Sequence, residues 1–386
     1  MSGKTNRNLW IALIVVVVAV ILVLAFTGVF KKAETQEIKI GIVGPHTGPV
    51  AVYGEAVRDA ALVAIEEINA AGGVLGMKFV PVIEDTKGDG AEASNAVNKV
   101  ITRDKVVAII GPVISSTANV AGAIVNREKV PMIAPAATAV EVTHAGEYTS
   151  RVCFLDSYQA TVMAKFSREE LKAEKAAILF DVASDYSIGL KDVFAEKFVE
   201  YGGEIVEVVS YTSGDSDFSA QLTKIKAAAP DVIYLPVYYN DDILILRQAR
   251  NLGITATFLG ADGWDAPELI EGAGDAAEGC YFTTHYTIHD PSPVVQNFVQ
   301  KFQEKYGKPP IVFNALGYDA VKMLADAIER AGSLDREEIK DAINSTENFE
   351  GVTGMITLDE NRNPYKEVTI VTVKNGQFEL VTKLLP

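Results

Sequence analysis

The chain has 386 residues, 48% of them hydrophobic, which is enough for a large core and for two or three domains. It carries 35 basic against 51 acidic residues, and four of the basic ones, Lys4, Arg7, Lys31 and Lys32, lie in an acid-free first stretch, so the remainder is more acidic still. Such a body repels phosphate backbones, which argues against a nucleic-acid partner, and two cysteines and four scattered histidines offer no zinc spacing or thiol-redox pair.

The first element is Leu9 to Phe30, 22 residues without a charge. Roughly 20 apolar residues span a bilayer as a helix. Lys4 and Arg7 ahead of it favour an N-in orientation, and Lys31 and Lys32 beyond it oppose that bias. The run is longer than the apolar region of about 7–15 residues typical of a secretory signal, and its small-x-small cleavage site near Gly28 is poor. An uncleaved membrane anchor is therefore expected ahead of a cleaved signal. Either exports the rest of the chain, and with no Cys after the run a lipid anchor is not expected.

After a polar linker the pattern becomes regular. Ile38 to Val43 is a β-branched run ending at Gly44. Gly54 to Asn69 follows with apolar residues at Val57, Ala61, Ile65 and Ile68, the spacing of a helix with one buried face. Ala-Ala-Gly-Gly stops it. The cycle repeats as strand Phe79 to Ile83, helix Ala91 to Thr102, strand Val106 to Ile110, helix Ser116 to Asn126 and strand Pro131 to Ala134. A second series has strands Ala176 to Phe180, Ile205 to Val209, Val232 to Leu235 and Thr257 to Leu259. Helices Ile188 to Tyr201, Phe218 to Ala228 and Asp241 to Asn251 lie between them. Apolar strands alternating with amphipathic helices imply parallel sheets covered on both faces, and two series imply two α/β lobes. The last third predicts helices Pro293 to Tyr306, Phe313 to Ala331 and Arg336 to Asn344, then strands near Gly354 to Leu358 and Val368 to Val373.

In open parallel sheets ligands bind beyond the carboxyl ends of the strands. IIGPVISST (109–117) and PMIAPAAT (131–138) place Ser115 to Thr117 and Ala136 to Thr138 at such ends. Ser115 also stands at a helix start, where free backbone N–H groups attract an anion. The hydroxyls suit a small carboxylate; as single residues Ser115 and Thr138 also read as ordinary N-caps. Gly41-Ile-Val-Gly44-Pro-His-Thr-Gly48 fails the G-x-G-x-x-G spacing, and its prolines remove phosphate donors, so no nucleotide cofactor is expected. Ser115 lacks a G-x-S-x-G elbow and no histidine spacing supports a triad. His46, His144, His285 and His289 are expected in loops or at the surface. Cys153 and Cys280 are compatible with an exported disulfide or with two small buried apolar residues.

IKIGIVGPHTGPVAVYG, INAAGGVLG, IIGPVISST, MIAPAATAVEVT, RVCFLDSYQ and LGADGWDAPEL occur in order from Ile38 onward. Together they resemble the leucine/isoleucine/valine-binding proteins of ABC importers, which are type I periplasmic binding proteins. The resemblance implies two Rossmann-like lobes joined by a three-segment hinge, following the N-terminal anchor or signal and linker of residues 1–36. Lobe 1 would be 37–155 plus 284–362, and lobe 2 would be 156–283 plus 363–386. It also implies an extracytoplasmic receptor, not an enzyme. Such a receptor captures an amino acid, most simply a branched-chain one, and delivers it to a permease with a cytoplasmic ATPase. A sensor, or a binder of an amide, urea or small carboxylic acid, is the alternative.

Carried over position by position, Ser115 and Thr138 match hydroxyls that bind the α-carboxylate. Ala136 matches a position whose backbone assists there. Asp262 matches the carboxylate that pairs with the α-ammonium, where the family's own acid is one methylene longer. Tyr238 matches a tyrosine at the ligand's polar end, with Tyr239 beside it as a competing register. Tyr53, Tyr186 and Phe313 match the side-chain pocket, and Trp264 is a further candidate wall. A zwitterion removed from water needs each charge met by hydrogen bonds or opposite charge, which this division supplies.

Overall fold

The computed structural model describes residues 37–386, together with Trp10, Leu13 and Val16, which are helical and exposed. The rest of the Leu9–Phe30 run, and with it the expected anchor, lies outside the described residues. Among the described residues no helix is long and apolar enough to cross a membrane.

The first part of the chain runs β1 (Glu37–Gly44), α1 (Ala51–Ala70), β2 (Lys78–Asp85), α2 (Gly90–Thr102), β3 (Ala108–Ile110), α3 (Ser115–Glu128), β4 (Met132–Ala134) and β5 (Thr149–Arg151). The second runs α4 (Asp156–Glu169), β6 (Lys175–Asp181), α5 (Asp185–Glu200), β7 (Glu204–Tyr211), α6 (Ser219–Ala228), β8 (Val232–Tyr234), α7 (Tyr239–Asn251), β9 (Thr257–Gly260), α8 (Pro267–Ala273) and β10 (Tyr281–Thr284). Three helices follow, α9 (Pro293–Tyr306), α10 (Val312–Ala331) and α11 (Arg336–Asn344), then β11 (Phe349–Gly351), β12 (Gly354–Ile356), β13 (Val368–Lys374) and β14 (Gln377–Leu384).

The strands form a five-stranded sheet in the order β2-β1-β3-β4-β5 and a seven-stranded sheet in the order β14-β13-β10-β9-β8-β6-β7. Strands β1, β3, β4 and β5 are parallel, with Ile40 opposite Ala108 and Ile110 opposite Ile133. Strands β7, β6, β8, β9 and β10 are also parallel, and β13 and β14 close that sheet antiparallel. Both faces of each sheet are covered. On β1, Ile38, Ile40 and Ile42 join one apolar cluster. Val43, beside them on the strand, joins another with Val97, Val100 and Val125 of α2 and α3. Burial on both faces explains why these strands read as unbroken β-branched runs.

Helix ends follow local chemistry. Asp89 caps α2 by accepting from Ala91 N at 2.8 Å and Glu92 N at 3.0 Å, and Asp335 caps α11 in the same way. Helix α10 returns the chain to the first sheet's side, where Asn314 Nδ2 donates to Ala56 O at 2.7 Å. Gly317 permits that crossing: a Cβ there would lie 2.6 Å from Val57 O of α1.

One core residue carries an untested cost. Asp242, in the first turn of α7, is fully buried, and neither carboxyl oxygen has a hydrogen-bond partner. The neighbouring Trp264 indole favours its charged form slightly but directs its own N–H to Leu235 O at 3.0 Å. Burial pushes the Asp242 carboxyl well above its ordinary value of 3.8. The folded chain therefore holds a proton that the unfolded chain has released above about pH 4, so this group's contribution to stability falls as pH rises through that interval. Asp242→Asn should raise the unfolding midpoint at pH 8 and leave it nearly unchanged at pH 4, as read by scanning calorimetry. Equal midpoints at pH 8 would show that the carboxyl is not held neutral.

Candidate functional site

Two of the residues expected at strand ends, Ser115 and Ala136, meet five of those that the resemblance implied. Tyr53, Ser115, Ala136, Tyr186, Tyr238, Asp262 and Phe313 line one cavity, joined by Val113, Ile114 and Gly263. The gap between them leaves about 10 Å³ open to a water-sized sphere, room for about one water molecule, so the lining side chains close nearly onto one another. First-sheet elements supply Ser115 and Ala136, and the turn after β9 supplies Asp262.

Ser115 opens α3, whose N-terminus has no side-chain cap. Its first N–H groups are therefore free to meet an anion. Ser115 Oγ accepts from Ala139 N at 3.2 Å, which ties α3 to the loop after β4. Thr138 is fully buried, does not line the cavity, and its Oγ1 has no hydrogen-bond partner. It lies beside Asp156 without hydrogen-bonding geometry to it. Thr117 turns its hydroxyl back onto Ile114 O at 2.8 Å.

Asp262 sits in a short 3-10 turn, Asp262–Trp264, and is buried. Its Oδ1 accepts from Gln159 Nε2 at 2.8 Å and from Tyr186 OH at 2.9 Å. Its Oδ2 faces His285 Nε2 at 3.2 Å. Gln159 Nε2 also donates to Asp156 Oδ1 at 2.9 Å, so one amide bridges two buried carboxyls. Burial, and secondarily the Asp262 charge, push Asp156 up to about 8.

The cavity wall is aromatic. Tyr186 and Tyr238 stack at 5.0 Å, Tyr53 and Phe313 stack at 4.2 Å, and Tyr53 meets Tyr238 edge-on at 5.7 Å. Tyr53 OH donates to Gly263 O and accepts from Tyr239 N at 3.2 Å, so α1 is clasped to second-sheet elements. On a different edge Asn119 Nδ2 of α3 donates to Asp185 Oδ2 of α5 at 2.8 Å. Tyr238 and not Tyr239 faces the cavity; Tyr239 OH donates to Pro49 O at 2.9 Å. Burial raises the hydroxyls of Tyr53 and Tyr186 well above their ordinary value, which keeps both neutral donors.

Trp264 stands apart from the other expected residues. It is fully buried, does not line the cavity, and donates its indole N–H to Leu235 O at 3.0 Å. Its ring covers Gly260, where a Cβ would come within 2.2 Å of the indole.

Two histidines lie in loops, as expected, but are not at the surface: His46 and His285 are both buried. Sequence reading missed His285, Gln159 and Thr283, whose Oγ1 donates to Gln159 Oε1 at 2.6 Å. A signal for His285 was present: it follows β10 directly, at the carboxyl end of a strand paired to β9. Cys153 and Cys280 are both free and buried, so no disulfide joins them. Burial pushes both thiols up to about 12, leaving neither reactive near neutral pH.

A family model for the periplasmic binding proteins matches residues 37–377. The chain belongs to the periplasmic binding protein family. This periplasmic binding protein is 35% identical over 343 residues to the leucine-, isoleucine-, valine-, threonine- and alanine-binding protein of Pseudomonas aeruginosa, covering 89% of this chain and 90% of that one. Among solved structures it is similar to the leucine binding protein LivK of Thermotoga maritima, with 44% identity and a TM-score of 0.87, over 90% of this chain and 99% of that one. It is similar also to LivJ of Streptococcus pneumoniae in complex with isoleucine, with 36% identity and a TM-score of 0.86, over 91% of this chain and all of that one. The α/β fold expected of a type I periplasmic binding protein is borne out by these matches.

Proposed function

We propose that the protein is the extracytoplasmic receptor of an ABC importer and captures a branched-chain amino acid between two lobes. The observation that carries this reading is the make-up of the cavity. First-sheet elements bring Ser115 and an uncapped helix N-terminus, second-sheet elements bring the buried Asp262 carboxylate, and four aromatic rings line it. Neutral donors suit the α-carboxylate, Asp262 suits the α-ammonium, and the rings suit an apolar side chain. The names of the relatives support the same ligand class.

In this reading lobe 1 is 37–155 plus 284–362 and lobe 2 is 156–283 plus 363–386. Sheet membership supports that division, since β1–β5 build one sheet and β6–β10 with β13–β14 build the other. The lobes close by hinge motion, and closure gives the permease a state it distinguishes from the empty one. Residues 9–30 tether the receptor to the membrane beside its permease. The ligand is bound without turnover.

Calorimetry of the full chain against the twenty amino acids, urea, acetamide and benzoate tests this. Binding confined to leucine, isoleucine or valine is expected. Binding of a non-amino acid alone would remove Asp262 as an ammonium partner. Thr138→Val sharpens the test, because its hydroxyl has no partner in the fold to lose. The variant should keep its thermal midpoint while ligand affinity falls by about 1–3 kcal/mol through an unmet hydrogen bond. Unchanged affinity would exclude Thr138 from the carboxylate cradle.

A further inference from the structure

His285 belongs to no part of the reading above, yet it is the one side chain that hydrogen-bonds Oδ2 of the proposed ammonium partner among the described residues. Its ring is fully buried, stacks on Phe154 at 3.6 Å, and places Nε2 3.2 Å from Asp262 Oδ2. An ionised carboxylate only accepts, so Nε2 carries the hydrogen of the neutral ring and Nδ1 is left as an acceptor. Nδ1 has no partner. The acceptor count on Asp262 then becomes informative. Oδ1 is filled by Gln159 and Tyr186, and Oδ2 holds one bond from His285. A carboxylate oxygen accepts two, so one position remains, on Oδ2 beside the imidazole.

We propose that His285 is a positioning residue for Asp262: its neutral Nε2–H fixes the carboxylate so that one Oδ2 acceptor site is left for the ligand's ammonium, and its protonation opposes binding. This rests on the receptor reading of the cavity. A protonated ring would place a second positive charge against the carboxylate that the ammonium needs, and the two cations would compete. Acidification therefore releases ligand, and ligand holds His285 neutral.

The groups around His285 define where this can be read. Burial lowers its affinity for a proton, and Asp262 opposes that shift. Lys366, buried and pushed down to about 8, adds repulsion from the segment before β13, and Asp319 of α10 compensates Lys366. Asp156 lies across Gln159 and keeps its proton below about 8. Asp265, which accepts from Thr284 Oγ1 at 2.6 Å, is pushed up to about 6. On its outer side His285 borders a cleft that also holds Asp290, Glu367 and Lys383. Since Asp265 contributes its own pH dependence, the wild-type profile alone is insufficient and a matched variant is needed.

The test is leucine affinity of the full chain by calorimetry from pH 7.5 to 5.0, for wild type and His285→Gln, with Asp262→Ala alongside. Glutamine can donate to Oδ2 but cannot titrate. Wild type should lose affinity toward acid more steeply than His285→Gln, by up to about tenfold per pH unit, the limit for one linked proton. Superimposed pH profiles, with Asp262→Ala still defective, would overturn the role of His285 and leave the receptor reading standing. Leucine binding indifferent to Asp262→Ala would overturn the site reading and this inference with it. Should His285→Gln fold poorly, NMR of the wild-type imidazole decides: leucine should make His285 harder to protonate, and an unmoved titration would overturn the proposal.

Discussion

Asp262→Ala should weaken amino-acid binding by about 2–5 kcal/mol, from thirtyfold to several thousandfold in affinity, the range found when a buried charge loses its partner. The cost has two sources. The ligand's ammonium would enter a water-poor cavity with no opposite charge to meet it. The donors that now hold the carboxylate, Gln159 Nε2, Tyr186 OH and His285 Nε2, would also lose their acceptor. Asp262→Asn separates these, because it preserves shape and removes charge. It should still lose most of the affinity, since the ammonium responds to charge. Calorimetry with leucine reads both variants, and near-wild-type affinity in either would place the ammonium elsewhere. Removing the Asp262 charge should also make Asp156 easier to ionise, because that charge is one of the causes holding its carboxyl up.

Trp264→Ala should destabilise the fold by about 3–5 kcal/mol, the usual cost of truncating a large buried aromatic side chain. The indole is fully buried and fills the space over Gly260, which has no side chain to collapse into the gap. Its N–H is one of two donors to Leu235 O just after β8, the other being Val237 N at 3.0 Å, so the carbonyl would lose one bond and keep one. Urea unfolding of the variant reads the loss directly. A stability within about 1 kcal/mol of wild type would mean the ring is peripheral, as a pocket wall open to solvent would be. Because Trp264 closes the turn that carries Asp262, weakened binding is expected to accompany the instability.

How far the sequence discloses this molecule depends on how plainly burial is written into each segment. Helices α9, α10 and α11 were legible almost to the residue, because their apolar faces recur every three to four positions and Gly307 and Gly332 stop the first two. Helix α4 was not, since its buried positions include Asp156, Gln159 and Ser167, which blur the period. Strand β14 escaped because QFELVTKL is partly exposed and mixes charge with apolar residues. Its turn was readable: Asn375 and Gly376 both have positive φ, the conformation an Asn-Gly hairpin requires.

The site divides in the same way. Ser115 could be placed because strand ends are where parallel sheets gather ligands, whereas Asp262 came only from the family resemblance, since an acid in Ala-Asp-Gly also reads as an ordinary turn. Trp264 could not be sorted from Asp262, two residues before it in the same turn, because side chains of a turn face different ways and sequence gives no direction. Gln159 lies 103 residues from Asp262 in sequence, and only the folded chain brings them together.

The clasp of Tyr53 onto Gly263 O and Tyr239 N, with the Asn119–Asp185 bond on another edge, bears on timing as well as on shape. In the receptor proposed above, a solute reaching the cavity has to wait for those bonds to part, and a solute leaving it has to wait again. Residence time is then set in part by residues such as Asn119 that lie outside the cavity lining. Loosening that bond would quicken both arrival and departure while moving the equilibrium much less.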